Sequence, residues 1–242
     1  MDRLGCIVAV EGPSGAGKTT VVRAAARAFG WHALPEAFDR IDPRPSLRFR
    51  TSKELLALER KLLAEEGLRY GEAVAGRRRG RTVVADTGFL GPITYTAGLV
   101  ALGGAPPHVL QALRSLVAER ERSHRLGLPD AIVYLDVPAR VRHRRVVRES
   151  RGHPEEFRER HEAVGRIERR FYRRLARATR SGWVRFVPGT GPPETVAARL
   201  RAAVRSLGNR RKSTLTLQSA LSLLEGTAGR RPAAGDLRPP PL

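Results

Sequence analysis

The run Gly12-Pro13-Ser14-Gly15-Ala16-Gly17-Lys18-Thr19, continued by Thr20, constrains this chain more than any other stretch. The apolar run Cys6-Ile7-Val8-Ala9-Val10 precedes it and predicts a buried strand. Behind it, Val22, Ala25, Ala26 and Phe29 recur at three- and four-residue steps, which predicts a helix with one apolar face. Strand, glycine-rich turn, Lys-Thr and helix is the order in which a chain cradles phosphate. Gly12, Gly15 and Gly17 let the backbone curl until successive N–H groups point inward. The start of the helix adds free donors and partial positive charge. On this reading residues 12–20 hold the phosphates of ATP. Lys18 reaches the β- and γ-phosphates, and the Thr19 hydroxyl serves Mg²⁺.

A chain of 242 residues, 41% hydrophobic, can bury one large core, with or without a tail. Aromatic residues make up only 5%, so that core is mostly Leu, Val and Ala. Cys6 is the single cysteine, which excludes a disulfide framework and argues against a cysteine-based metal site. A reducing cytoplasm fits that usage. No stretch approaches the ~20 apolar residues of a membrane span. The first apolar run passes straight into the glycine turn, unlike a secretory leader.

The formal net charge is +21. Such a charge suits a polyanionic partner: nucleotides, nucleic acid or an anionic surface. It equally suits a composition rich in arginine, since the lysines are only Lys18, Lys53, Lys61 and Lys212. The charge is dispersed, and no aromatic residues alternate with it as a base-stacking platform requires. Nucleic acid is therefore not the favoured partner.

Residues 31–34 predict a second strand, ending at Pro35-Glu36. In an open parallel sheet, ligands sit beyond the carboxyl ends of the strands. Glu36 there could take a proton from an attacking hydroxyl, help organise Mg²⁺, or pair with Arg40 or Arg44 in a loop. Residues 39–52 lack periodicity and predict a loop. Ser52 would cap a helix from Lys53 to about Ala75, with leucines 55, 56, 58, 62 and 63 as its stripe. Arg60 and Arg69 on it would face a substrate phosphate or form a solvated face.

Thr82-Val83-Val84-Ala85-Asp86 predicts a third buried strand that ends in an acid. Asp86 would hold Mg²⁺ there, or merely start the turn at Thr87-Gly88. Pro92 suits the first turn of a short helix, on which Tyr95 would stack on a base or pack in the core. A helix follows from Pro106-Pro107 to about Leu126. Residues 132–137 predict the fourth strand, and the arginine-rich helix behind it would lead to a hinge at Gly152-His153-Pro154. Arg145 and Arg151 of that lid, around residues 140–155, would balance charge on a transferring phosphoryl group. A long helix over 155–180, a strand over 183–187, a loop at 188–193 that could border an adenine, and a helix over 194–207 complete the pattern.

Alternating strands and helices predict parallel βαβ units: a three-layer α/β/α sandwich on a mostly parallel five-stranded sheet. This domain would span residues 1–207. Residues 208–242 are basic and rich in Pro and Gly, and predict a disordered tail with one short helix through its leucines at most.

The chain resembles the thymidylate kinase and deoxynucleoside kinase group of P-loop phosphotransferases from Leu4 to about Leu207. VAVEGPSGAGKTT is similar to the group's opening strand and P-loop. TVVADTGFLGPITYTAG is similar to its strand with an Asp-Arg pair and the helix near the acceptor base. PDAIVYLDVPARVRHRRVVRESR is similar to its strand, Val-Pro turn and lid, and VRFVPGTGPPETVAARL to its last strand, adenine-side loop and final helix. The resemblance implies that Lys18 and Thr19 serve phosphate and Mg²⁺, that Asp86 is the acid of the Asp-Arg pair, and that Glu36 is the base of nucleoside kinases. It implies phosphate contacts for Arg145 and Arg151 and a base-side role for Tyr95. Two departures stand out. Thr87 replaces the arginine after the acid, and Leu34-Pro35-Glu36-Ala37 replaces the Arg-Glu-Pro-Gly-Gly of thymidylate kinases.

The expected activity is transfer of the γ-phosphoryl group of ATP to a nucleoside or nucleoside monophosphate. Assembly as a homodimer stays open. Two other readings compete: an ATPase or nucleotide switch associated with nucleic acid, and a kinase of an antibiotic or sugar.

Overall fold

The computed structural model describes residues 5–45, 49–149, 155–179, 182–207 and 216–228. Five parallel strands form its one sheet: β1 (Ile7–Glu11), β2 (His32–Leu34), β3 (Val83–Asp86), β4 (Ala131–Asp136) and β5 (Val184–Pro188), in the order β2-β3-β1-β4-β5. The expected parallel five-stranded α/β sandwich is the observed one. The first strand is buried at every position, and β3 is too. Continuous burial is what a sheet covered on both faces demands, and it explains the unbroken apolar runs.

The order reverses at β1, whose neighbours are β3 on one side and β4 on the other. The connections after these strands leave in opposite directions and open a crevice at their carboxyl ends. The glycine-rich turn leaves β1 at that crevice and enters α1 (Lys18–Phe29). α1 packs with α8 (Pro193–Leu207) over one face of the sheet, around Val8, Val10, Val22, Val133 and Leu200. The other face carries α3 (Ser52–Arg78), α4 (Gly91–Ala101), α5 (Pro107–Arg122) and α7 (Glu155–Thr179). α6 (Ala139–Glu149) follows β4, and α2 (Ala37–Arg40), a single turn that periodicity did not predict, follows β2.

Two expectations shift. Thr51, not Ser52, caps α3: its hydroxyl accepts from the Glu54 N–H at 3.2 Å, and the Glu54 carboxylate accepts from the Arg50 N–H at 2.7 Å. The first bond satisfies a donor that the helix start leaves open, and the second ties Glu54 to the residue before the cap. The one short helix that the tail's leucines allowed is α9 (Leu217–Ala228), and it docks on the domain. Leu217, Ala220, Leu221 and Leu224 are buried against α4, α5 and α7, and the Leu217 N–H donates to the Glu121 carboxylate at 2.7 Å. Burying that leucine stripe outweighs the tail's polar composition. The rest of the tail lies outside the described residues. Among the described residues no helix is long and apolar enough to cross a membrane.

Candidate active site

The turn between β1 and α1 forms a tight cradle. Gly15 and Gly17 adopt positive φ of 73° and 87°, a region that side chains strain to enter. Ala16 N–H donates to Pro13 C=O at 3.0 Å and closes the turn. No side chain caps α1, so its leading N–H groups face the crevice, as an anion site requires. Lys18 Nζ donates to the Gly12 carbonyl at 2.8 Å. Gly12, Pro13 and Ala16 are buried, Ser14 and Thr20 are exposed, and Thr19 is half-buried on the first turn of α1.

Lys18 is surrounded by acids. Burial opposes its charge, but Glu36, Glu168, Asp86 and Glu11 together raise its pKa above that of a free lysine. Burial pushes Glu36 up, although Lys18 pulls it back. Burial, aided by Glu168, pushes Glu11 to about 8, and burial pushes Glu168 to about 7. Glu11 accepts from the Gly88 N–H at 2.9 Å, joining the ends of β1 and β3. A Cβ at Gly88 would sit 2.2 Å from the same carboxylate. Arg40 pairs with Glu65 and Glu72, and Arg44 with Asp39, so neither arginine takes Glu36 in an ion pair.

Asp86 is buried at the end of β3, and among the described residues neither of its carboxylate oxygens has a hydrogen-bond partner. Such an orphaned carboxylate, close enough to act on Lys18, is a donor that suits a hard cation. Among the described residues no cluster of three or more His, Cys, Asp or Glu is placed to hold a metal.

A cavity of about 290 Å³ opens beside the cradle. Its wall runs from Gly12, Ser14 and Lys18 through Glu36 to Glu59 and Tyr95. The Tyr95 ring lies 5.5 Å from that of His161, and burial, aided by Glu59, pushes its hydroxyl to about 12. Arg60 is corrected: it is exposed on α3 and does not line this cavity. The buried arginine of α3 is Arg69, 0% exposed, which pairs with Glu66 and donates to the backbone carbonyls of the last residue of β3 and the one after it. Arg69 does not line the cavity either.

Arg145 reaches the cradle from α6. Its guanidinium donates to the carbonyls of Gly15 at 3.3 Å, Ala16 at 3.0 Å and Gly189 at 3.5 Å. It thus ties α6 to the turn and to the loop after β5. Arg151 lies outside the described residues. A second cavity, about 700 Å³, lies between α6 and α7 and reaches Pro188 and Thr190 of that loop.

Glu11, Glu59 and Glu168 escaped the sequence reading, although a signal was there. Glu168 falls in the series Val164, Glu168, Tyr172, and Glu59 in the series Leu55, Glu59, Leu63. An acid that keeps step with an apolar stripe faces the interior.

A family model described as an AAA domain matches residues 7–176, from β1 into α7. No curated protein matches the sequence. Among solved structures, the fold is similar to deoxyadenosine kinase from M. mycoides with bound dATP: TM-score 0.65 at 15% identity, covering 82% of this chain and 99% of that one. The same enzyme with the products dCMP and a flexible dCDP gives a TM-score of 0.62 at 16% identity, covering 83% and 99%. At such identity the likeness is one of fold. The match to the model over most of the described chain means that this protein belongs to the AAA domain family of P-loop proteins.

Proposed function

We propose that this chain is an ATP-dependent kinase that transfers the γ-phosphoryl group to a nucleoside, in preference to a nucleoside monophosphate. One observation carries the reading: a single cavity is walled by the phosphate cradle on one side and by Glu36 and Tyr95 on the other. A donor's phosphate chain and a flat acceptor would share one enclosed space, as in-line transfer requires.

The charge of that wall favours a neutral acceptor. Among the described residues it holds the glutamates 11, 36, 59, 66 and 168, with Lys18 and no arginine. A dianionic acceptor would find no guanidinium there to clamp its phosphate, whereas a hydroxyl needs a base. Glu36 takes the hydroxyl's proton, and its raised pKa brings it toward the working pH. Lys18 balances charge that gathers on the transferring oxygens. Arg145 holds α6 over the cradle, and Arg151 would complete the lid. Tyr95 offers its face to the acceptor. Thr19 and Asp86 would hold Mg²⁺, which when bound neutralises phosphate charge. Residues 1–207 with α9 would form the catalytic unit, drawing on cytoplasmic ATP.

The M. mycoides kinase was solved with deoxynucleotides, so deoxynucleosides are the first class to test. A panel of nucleosides and their monophosphates, with ATP and Mg²⁺, should yield nucleoside monophosphate. Product from the monophosphates alone would refute the acceptor assignment, and no product from either would refute the kinase reading. The net charge of +21 favours a second reading, an ATPase that works on nucleic acid. ATP hydrolysis stimulated by DNA and suppressed by salt would support it.

A further inference from the structure

We propose that Glu59 is the group that recognises the acceptor's base, pairing edge-on with any nucleobase that offers a hydrogen-bond donor beside an acceptor, of the amino or the oxo type. The inference rests on the nucleoside-kinase reading and specifies its substrate.

Glu59 is 1% exposed, yet it lines the acceptor cavity. Its Oε2 is buried and has no hydrogen-bond partner among the described residues. A carboxyl group buried this way costs free energy unless something arrives to pair with it. The charges around Lys18 do not act on its proton. Burial raises its pKa to about 8, the neighbouring Thr96 hydroxyl pulls it back only in part, and the group stays neutral near pH 7.

A neutral carboxyl group carries one O–H donor and one C=O acceptor side by side. Adenine and cytosine present a ring nitrogen that accepts beside an amino group that donates. Thymine and guanine present a ring N–H that donates beside an oxo group that accepts. The carboxyl proton can sit on either oxygen, so one side chain meets both patterns. Around it the wall is apolar and partly aromatic: Leu58, Leu62, Pro92, Tyr95 and Val164. A flat ring with two apolar faces and one polar edge fits such a lining. A sugar or aminoglycoside would need polar partners on every side.

The test is equilibrium binding to the full chain, with turnover followed in parallel. The ligands are deoxyadenosine, thymidine and the 2,4-difluorotoluene deoxyriboside, which copies thymidine's shape without its hydrogen-bonding edge. The wild type should bind the two natural nucleosides within about tenfold of each other. It should bind the difluorotoluene isostere about ten- to hundredfold more weakly than thymidine, the worth of one bidentate pair. Glu59→Leu should erase that gap, and Glu59→Gln, which keeps a donor beside an acceptor, should retain it. An isostere that binds wild type as well as thymidine overturns the inference. So does a gap that survives in Glu59→Leu, or no binding of any nucleoside. Binding selectivity without phosphorylation would sink the kinase reading and leave this inference standing. Phosphorylation without selectivity would do the reverse.

Discussion

Arg69 holds Thr87 in place. One guanidinium nitrogen of Arg69 donates to the Asp86 carbonyl at 2.8 Å and to the Thr87 carbonyl at 3.0 Å. Thr87 has a φ of 62°, rarely adopted by a β-branched residue. The segment that aims Asp86 is therefore strained and clamped from behind, and Gly88 is tied to Glu11 just beyond it. Where the resembling kinases carry an arginine after the acid, this chain puts Thr87 in the loop and brings a buried arginine from α3 to its backbone.

Removing the clamp should be costly. Arg69→Met leaves Glu66 buried without its partner and two carbonyls unpaired, a loss of about 3 kcal/mol. Urea denaturation measures it. The double variant Arg69→Met, Glu66→Leu should recover part of the loss, because no charge is then stranded. Wild-type stability in the single variant would contradict the clamp.

Relieving the strain should help folding and harm the site. Thr87→Gly removes the penalty of the left-handed conformation and should raise stability by about 1 kcal/mol. It should also lower turnover, since the Asp86 segment loses its one fixed shape. A lower denaturation midpoint would contradict the strain.

Gly88 admits no side chain. A Cβ there would come 2.2 Å from the Glu11 carboxylate. Gly88→Ala should destabilise the fold by roughly 2 kcal/mol and weaken ATP binding, because Glu11 stands against Lys18. Thermal unfolding together with nucleotide titration reads both effects.

Buried neutral acids set a pH dependence of stability. Glu59 is raised from about 4.5 to about 8 in the folded chain. Between those values the folded state binds the extra proton, so stability is fully present below pH 4.5 and falls as pH rises toward 8. The slope from this group reaches at most about 1.4 kcal/mol per pH unit. Glu59→Gln should flatten the curve in that window. An unchanged slope would mean that Glu59 is charged when folded.

The sheet was legible because burial on both faces writes unbroken apolar runs, as in Ile7–Val10 and Val83–Ala85. The cradle was legible because its glycines and Lys18 have few other uses. The charges inside were not. Glu59, Glu66 and Glu168 read as solvated faces of helices, since polarity alone assigns charge to the surface. Only their step with neighbouring leucines and valines betrays them. Arg60 and Arg69 could not be told apart for the same reason: two arginines on one helix differ in phase, not in chemistry. α9 was legible as one short helix through a few leucines, but its docking was hidden by the Pro, Gly and Arg around it.

The central claim is that Lys18 and Glu36 serve one transfer reaction in one cavity. The most direct measurement counts ADP released and nucleoside monophosphate formed, by wild type, Lys18→Ala and Glu36→Gln. The account predicts one ADP for each monophosphate in the wild type, loss of both with Lys18→Ala, and retained ATP binding with a rate about a hundredfold lower or less in Glu36→Gln. ADP release without any phosphorylated acceptor, or full turnover in either variant, would contradict it.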